Sequence, residues 1–167
     1  MELDDTSPNV VKMCDITIRP LAEDDIEFLV EVRNDCRHFL HNDKEFTLKE
    51  AKKWFSENAS PFYLILYKNE PCGYFRTSKW NEADGSVWIG ADLSKDFRGR
   101  GIASLAYPLF MDMLYRKYGL TRFILEVLEF NTVALCLYRK LGFNEVERRH
   151  SARGTSIRME LWHQQIT

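Results

Sequence analysis

The chain is predicted to fold as a single α+β domain, a sheet of about seven strands flanked by about four helices. Its 167 residues suit one domain with a substantial core. Short runs of alternating apolar and polar residues predict strands, and longer runs of helical period predict helices. The resulting order, β-α-α-β-β-β-α-β-α-β-β, gives one sheet covered by helices.

The first half of the chain is predicted to contribute two helices and four strands. Residues 1–13 are polar and have no period, so we expect a flexible N-terminal arm before one domain at 14–167. Thr47-Leu-Lys-Glu50 is a capping box, which marks a helix start. Lys-Asn-Glu-Pro is a turn composition that joins two strands into a hairpin. The expected elements are a strand at 16–19, helices at 24–35 and 47–58, and strands at 62–67, 73–77 and 85–93.

The second half is punctuated by glycine and proline. Gly119 and Gly142 are expected to end helices, because glycine readily adopts the left-handed C-terminal conformation. Pro108 lies inside the first of these helices and predicts a kink or a break there. The expected elements are a helix from 102 to 118, a strand at 123–127, a helix at 131–141, and strands at 145–149 and 157–162.

Composition excludes several classes of function. The net charge of −2 argues against nucleic acid as a partner, and no apolar run has the length of a membrane span. The N-terminus lacks the pattern of a signal peptide, so we expect a cytoplasmic protein with no membrane partner. The four cysteines have no metal-site spacing and indicate neither a metal site nor a disulfide framework. Cys136 is expected to be a small core residue.

A stretch rich in glycine and arginine follows the strand at 85–93. Gly99 and Gly101 permit a sharp backbone turn, and a helical apolar period begins directly after them. The first turn of a helix has N–H groups without partners and the positive end of the helix dipole, so it can hold a phosphate. Arg98 and Arg100 add positive charge. The spacing fits neither a P-loop nor a dinucleotide fingerprint.

Two motifs indicate a family. Residues 98–103, Arg-Gly-Arg-Gly-Ile-Ala, resemble the Gln/Arg-x-x-Gly-x-Gly/Ala pyrophosphate loop of the GNAT superfamily of acyl-CoA N-acyltransferases. Residues 131–143, Asn-Thr-Val-Ala-Leu-Cys-Leu-Tyr-Arg-Lys-Leu-Gly-Phe, resemble its other signature, Asn-x-x-Ala-x-x-x-Tyr-x-x-x-Gly-Phe. The resemblance extends over about 16–162 and is specific over 87–143. The order of the two motifs is that of the superfamily.

The resemblance implies a mixed central sheet that splays in the middle, between the strands ending at Leu93 and Val127. Acetyl-CoA would enter this gap as co-substrate, and no metal is implied. The pantetheine arm would pair with the first strand as an added strand. The residues expected to bind acetyl-CoA are Ala91, Leu93, Arg98, Gly99, Arg100, Gly101, Ile102, Ala103, Asn131 and Tyr138.

The resemblance also implies a direct attack of an amine on the thioester. Tyr138 stands at the position of the family's tyrosine and is expected to protonate the leaving thiolate. Many relatives have a glutamate on the strand before the loop, and its position here falls on Trp88. Asp92 lies on the same alternating face and is the expected base, with Glu126 as the alternative. The competing interpretation of Asp92 is a strand-end residue bonded to the loop.

The sequence gives less information about the acceptor than about the cofactor. Arg33-Asn34 resembles the Arg-Asn pair of N-acetyltransferases that modify nucleotide-linked amino sugars, so Arg33, Asn34 and Trp88 are the expected acceptor-binding residues. A small-molecule amine is therefore expected, with a protein N-terminus as the second possibility and a polyamine as the third. A module that binds acyl-CoA without catalysis is the alternative from another class. The oligomeric state, monomer or homodimer, stays open.

Overall fold

The computed structural model describes residues 10–58 and 61–165. Its helices and strands cover most of these residues. The strands are β1 (Val11–Met13), β2 (Ile16–Pro20), β3 (Phe62–Tyr67), β4 (Glu70–Asn81), β5 (Ser86–Leu93), β6 (Arg122–Leu128), β7 (Asn144–Ser151) and β8 (Gly154–Trp162). The α-helices are α1 (Ile26–Cys36), α2 (Leu48–Glu57), α3 (Ile102–Tyr118) and α4 (Thr132–Leu141).

The strands form a mixed sheet in the order β1-β2-β3-β4-β5-β6-β8-β7. Neighbouring strands are antiparallel except β5 and β6, which are parallel. Their pairing runs from Ser86↔Arg122 to Trp88↔Ile124 and, in the described part of the chain, stops there. Beyond that point β5 stays with β4 and β6 stays with β8, so the two strands splay apart. The predicted α+β class, mixed sheet and splay are confirmed.

One strand was not expected. Val11–Met13 pair with β2, with Val11 opposite Ile18, so the arm predicted over 1–13 is wrong for these three residues. Pairing at a sheet edge uses backbone groups and needs no apolar alternation. Cys14, with a φ of 54°, makes the tight turn between the two strands. Residues 1–9, the rest of the predicted arm, lie outside the described residues.

Helices cover both faces of the sheet. The larger core packs α3 and α4 on one face, with Phe75, Phe110 and Phe123 fully buried. On the other face α1 packs Leu29 and Val32 against Tyr74 of β4, and α2 adds Phe55. The sheet therefore separates two apolar layers, and the splay opens a route between them. None of the described helices is long and apolar enough to cross a membrane.

The structure tests two further expectations, the effect of Pro108 on α3 and the length of the first hairpin turn. The helix α3 is continuous across Pro108, so no break occurs there. A proline removes only one backbone donor, and the buried side chains around it hold the helix against the sheet. The hairpin turn is shorter than predicted, since only Lys68 and Asn69, with φ of 50° and 66°, lie between β3 and β4. Two residues with positive φ match the twist of a hairpin.

Candidate functional site

A cavity of about 420 Å³ lies where β5 and β6 diverge, on the face covered by α1 and α2. One end is at the splay and the other is between the two helices. The splay end is lined by Ala91 and Asp92 of β5, Glu126 and Val127 of β6, and Asn131, Ala134 and Tyr138 at α4. The helix end includes Leu29, Val30, Arg33, Ala51, Trp54 and Phe55, with Phe62, Tyr74 and Arg76 from the sheet.

The loop between β5 and α3 has the predicted glycine conformation. Gly99 and Gly101 have φ of 69° and 76°, and Gly101 is the N-cap of α3. A Cβ at either position would meet nothing within 4 Å. The positive φ of the backbone, and not a lack of space, therefore favours glycine at these two positions. The first N–H groups of α3 have no partner within the helix. The loop can therefore hold an anion.

The two arginines of this loop already have contacts. The Arg98 guanidinium donates to the Leu93 carbonyl at 3.0 Å and to the Cys36 sulfur at 2.9 Å. Burial raises the pKa of the Cys36 thiol to about 11, so the sulfur accepts this bond as a neutral thiol. The Arg100 guanidinium lies 5.2 Å from the centre of the Phe97 ring. Arg98 therefore joins the end of β5 to α1, next to the loop.

Tyr138 lies on α4 at the splay end of the cavity. Its side chain is almost fully buried, and its hydroxyl lies 3.2 Å from that of Tyr107. Burial raises the pKa of Tyr138, so its phenol keeps its proton at neutral pH. Asn131 accepts a hydrogen bond from the Ala134 N–H at 3.3 Å, so it is the N-cap of α4.

Asp92 is 7% exposed and faces the α1–α2 side. Its Oδ2 accepts hydrogen bonds from the Tyr74 hydroxyl and the Arg76 guanidinium, both at 2.5 Å. Arg76 crosses over Gly90, where a Cβ would lie 2.8 Å from its guanidinium. Gly90 thus leaves room for the arginine that holds Asp92. The carboxylate is fixed by side chains of the sheet and not by the loop.

Trp88 shares the face of Asp92 but is not among the residues that line the cavity. Its ring lies between the Lys79 ammonium at 4.2 Å and the Arg158 guanidinium at 5.1 Å. Trp88 therefore does not line this cavity, and its expected contact with the acceptor stays a prediction. The reason is its register: β5 is still paired with β6 at Trp88, so this residue lies before the splay begins.

Arg33 and Asn34 bind the chain between α1 and α2. The terminal nitrogens of Arg33 donate to the carbonyls of Lys44 at 2.6 Å and Asn42 at 2.9 Å, and its guanidinium lies 4.1 Å from the Phe46 ring centre. The Asn34 amide exchanges two hydrogen bonds with the Phe46 backbone. Arg33 lines the cavity, whereas Asn34 is occupied in holding this connection in place.

Sequence reasoning missed His41 as a residue of the site. This side chain lines the cavity, and its Nε2 lies 2.8 Å from the Ser156 hydroxyl of β8. Burial lowers the pKa of His41, with the charge of Glu126 acting in the opposite direction. The histidine is thus mainly neutral at neutral pH. It lies in an irregular segment whose position follows only from contacts distant in sequence.

The cysteines and metal-binding side chains add no second site. Cys36 and Cys72 are buried, but Cys136 is exposed, so its predicted place in the core is wrong. The buried residues of α4 are Leu135 and Tyr138, and Cys136 between them points away from the sheet. Among residues 10–58 and 61–165, no group of three or more His, Cys, Asp or Glu side chains could hold a metal ion.

Comparison with known proteins agrees with this geometry. A family model described as an acetyltransferase (GNAT) domain matches residues 15–144. Spermidine N(1)-acetyltransferases of Escherichia coli K12 and O157:H7 are each 22% identical over 135 residues, covering 77% of this chain and 73% of the relative.

Solved structures extend the comparison to nearly the whole fold. RimL, a ribosomal L7/L12 alpha-N-protein acetyltransferase in complex with coenzyme A, has a TM-score of 0.82 at 17% identity, covering 92% of this chain and 98% of its own. Spermidine N-acetyltransferase from Vibrio cholerae with CoA and spermine has a TM-score of 0.83 at 17% identity, covering 90% and 97%. At these identities the likeness establishes the fold.

Proposed function

Because the chain belongs to the acetyltransferase (GNAT) family, we propose that a primary amine bound in the cavity attacks the thioester of acetyl-CoA directly, at the splay of β5 and β6. One observation carries this proposal: a single cavity reaches the splay and brings together Tyr138, Asp92 and Glu126. The proposed acid for the leaving sulfur and the carboxylates proposed to receive the acceptor ammonium therefore line the same cavity.

The cofactor is assigned to the side of the cavity formed by β5 and the following loop. Beyond Trp88, β5 has no β6 partner among the described residues, so the backbone around Ala91 can pair with an extended amide chain. Leu93 lies in the same stretch, and its carbonyl already accepts from Arg98. The pyrophosphate is assigned to the loop 98–103 and the first turn of α3. Gly99 and Gly101 fit this role, because their left-handed φ turns the backbone into the first turn of α3, where N–H groups have no partner within the helix.

The chemistry requires three proton transfers, two from nitrogen and one to sulfur. The acceptor ammonium must lose a proton before its nitrogen has a lone pair, and we assign that proton to Glu126, directly or through water. The nitrogen then bonds to the thioester carbon, and the carbon–sulfur bond breaks. The Tyr138 hydroxyl donates its proton to the departing sulfur and regains one from solvent, while the newly bonded nitrogen, now cationic, loses its second proton to solvent as the neutral amide forms. Its raised pKa keeps the acid form present throughout the neutral range.

Glu126 is preferred to Asp92 as the proton acceptor because of their surroundings. Asp92 is ion-paired with Arg76 and accepts a hydrogen bond from Tyr74 at the same oxygen. Protonation of this carboxylate would leave the Arg76 guanidinium without its counter-charge. We therefore assign Asp92 to positioning Arg76 and Tyr74 and to attracting the acceptor ammonium.

A nucleotide-linked amino sugar, the expected acceptor, gains no support from these contacts. Its phosphates would need a cation, but both terminal nitrogens of Arg33 are bound to carbonyls and Arg76 is paired with Asp92. The acceptor is proposed more generally as a small primary amine.

The test is the release of free CoA thiol from acetyl-CoA with a panel of amines. The panel contains spermidine, a peptide with a free N-terminus, a nucleotide-linked amino sugar and simple arylalkylamines. We expect release that depends on the amine and an acetylated amine as product. Binding of acetyl-CoA with no amine-dependent release from any member would contradict catalysis and support the non-catalytic acyl-CoA-binding module.

A further inference from the structure

The helix end of the cavity differs in chemistry from the splay end, and it identifies a class of acceptor. We infer that the acceptor is a primary amine on an apolar body, with an aromatic body preferred, and that it is not a polyamine. This inference rests on the proposed function, because it assigns the amine to the splay end. It concerns how the remainder of the same molecule is bound.

A continuous aromatic wall leads from α2 to the carboxylate at the splay. The Trp54 and Phe62 rings meet edge to face with centroids 5.6 Å apart, and Phe55 meets Phe62 in the same way at 5.1 Å. The Phe62 ring lies 5.9 Å from Tyr74, whose hydroxyl donates to Asp92. All four rings line the cavity. An aromatic body along this wall would place its amine at the carboxylates.

The charged side chains also differ between the two ends of the cavity. Among the described residues that line the cavity, the carboxylates are Asp92 and Glu126, both at the splay. The charged side chains at the helix end are Arg33 and Arg76: Arg33 contacts two carbonyl oxygens and the Phe46 ring, whereas Arg76 is ion-paired with Asp92. No carboxylate is among these contacts of Arg33, so a group bound at the helix end lies beside the Arg33 cation. The second ammonium of a polyamine would meet a like charge in place of a carboxylate.

The aromatic wall is also partly accessible. Trp54 is 38% exposed, although an indole inside a core is normally covered. A ring that stacks on this indole would bury apolar surface on both partners. Burial of one ring can change kcat/KM by about 10- to 200-fold relative to an acceptor without it.

The inference is tested by comparing kcat/KM for 2-phenylethylamine, 3-methylbutylamine and spermidine with the full-length protein. We expect 2-phenylethylamine to exceed spermidine by at least about 10-fold, with 3-methylbutylamine between them. Trp54→Leu should reduce the preference for the aromatic amine. Tyr115→Leu is the matched control, since Tyr115 is 39% exposed and lies outside the cavity lining, and it should leave the preference unchanged.

The outcomes separate this inference from the proposed function. If spermidine or a nucleotide-linked amino sugar is the best acceptor, the inference is overturned while the acetyltransferase function stands. An unchanged preference in Trp54→Leu would also overturn it. If none of the amines releases CoA thiol, the proposed function itself fails, and the assignment of an acceptor fails with it.

Discussion

The two sides of the cavity are built differently. The proposed cofactor side is a continuous piece of chain, from β5 through the glycine loop into α3, and it acts mainly through backbone groups. The proposed acceptor side is assembled from α1, α2, the connection between them, β4 and β6, and it acts through side chains. Backbone conformation should therefore control cofactor binding, whereas individual side chains should control acceptor binding and turnover.

The sharpest challenge to this distinction is a change of backbone conformation in the loop. Gly101→Val should abolish measurable acetyl-CoA binding, because a β-branched residue cannot easily keep a φ of 76°. No protein atom within 4 Å opposes the added Cβ, so the fold should survive. Calorimetric titration measures the binding. Gly154→Val is the matched control, since its φ is 112° and its Cβ position is also open; equal affinity in both variants would contradict the loop assignment.

Removing one hydroxyl tests the other side. Tyr138→Phe should lower kcat by about 10- to 1,000-fold with little change in acetyl-CoA affinity, because the proton is needed only as the carbon–sulfur bond breaks. Tyr63→Phe is the control, since Tyr63 is a buried tyrosine outside the cavity lining. If Tyr138→Phe keeps the wild-type kcat, the hydroxyl has no role in catalysis and Tyr138 serves only in packing.

The two carboxylates should respond differently to isosteric substitution. Glu126→Gln should lower kcat/KM at neutral pH by about 10- to 100-fold and flatten its pH dependence, because the proposed proton acceptor is gone. Asp92→Asn should instead lower the free energy of unfolding by about 1–3 kcal/mol, because Arg76 loses its counter-charge. The measurements are pH profiles and chemical denaturation. A flattened profile in Asp92→Asn alone would return the role of base to Asp92.

The smallest expected effect concerns His41. Burial lowers the pKa of this imidazole below its ordinary value of 6.5, so the neutral form is favoured in the folded site. As the pH falls below about 6.5, protonation increasingly disfavours the position of this partly covered imidazole beside Ser156. The KM for the amine should then rise by about 2- to 5-fold, and His41→Gln should remove that rise. A KM that stays constant from pH 7.5 to 5.5 would contradict this role.

The same distinction explains what the sequence could predict. The elements, the capping box at Thr47 and the helix-ending glycines follow from local rules, and the structure confirms them. The loop and the α4 motif are also local, because both are read within about a dozen consecutive residues. Their positions at the splay were therefore predictable from a resemblance to the family.

The acceptor side depends on contacts between distant residues. The sequence suggested that Arg33 is free to bind a substrate. In the structure its guanidinium instead donates to the carbonyls of residues 42 and 44. His41 is held at the cavity by its contact with Ser156, which lies on β8 and is distant in sequence. The sequence placed Trp88 at the acceptor because it does not show where β5 and β6 separate. Register and loop position are set by the whole fold, so the pattern of these residues could not reveal them.

The central claim is that donor and acceptor meet in one cavity, so that the acetyl group passes directly from sulfur to nitrogen. Intact-protein mass spectrometry after incubation with acetyl-CoA alone, followed by addition of an amine and analysis of the small molecules, tests it most directly. The account predicts an unmodified protein before the addition and an acetylated amine after it. A protein that gains one covalent acetyl group from acetyl-CoA alone and loses it to the amine would contradict direct transfer.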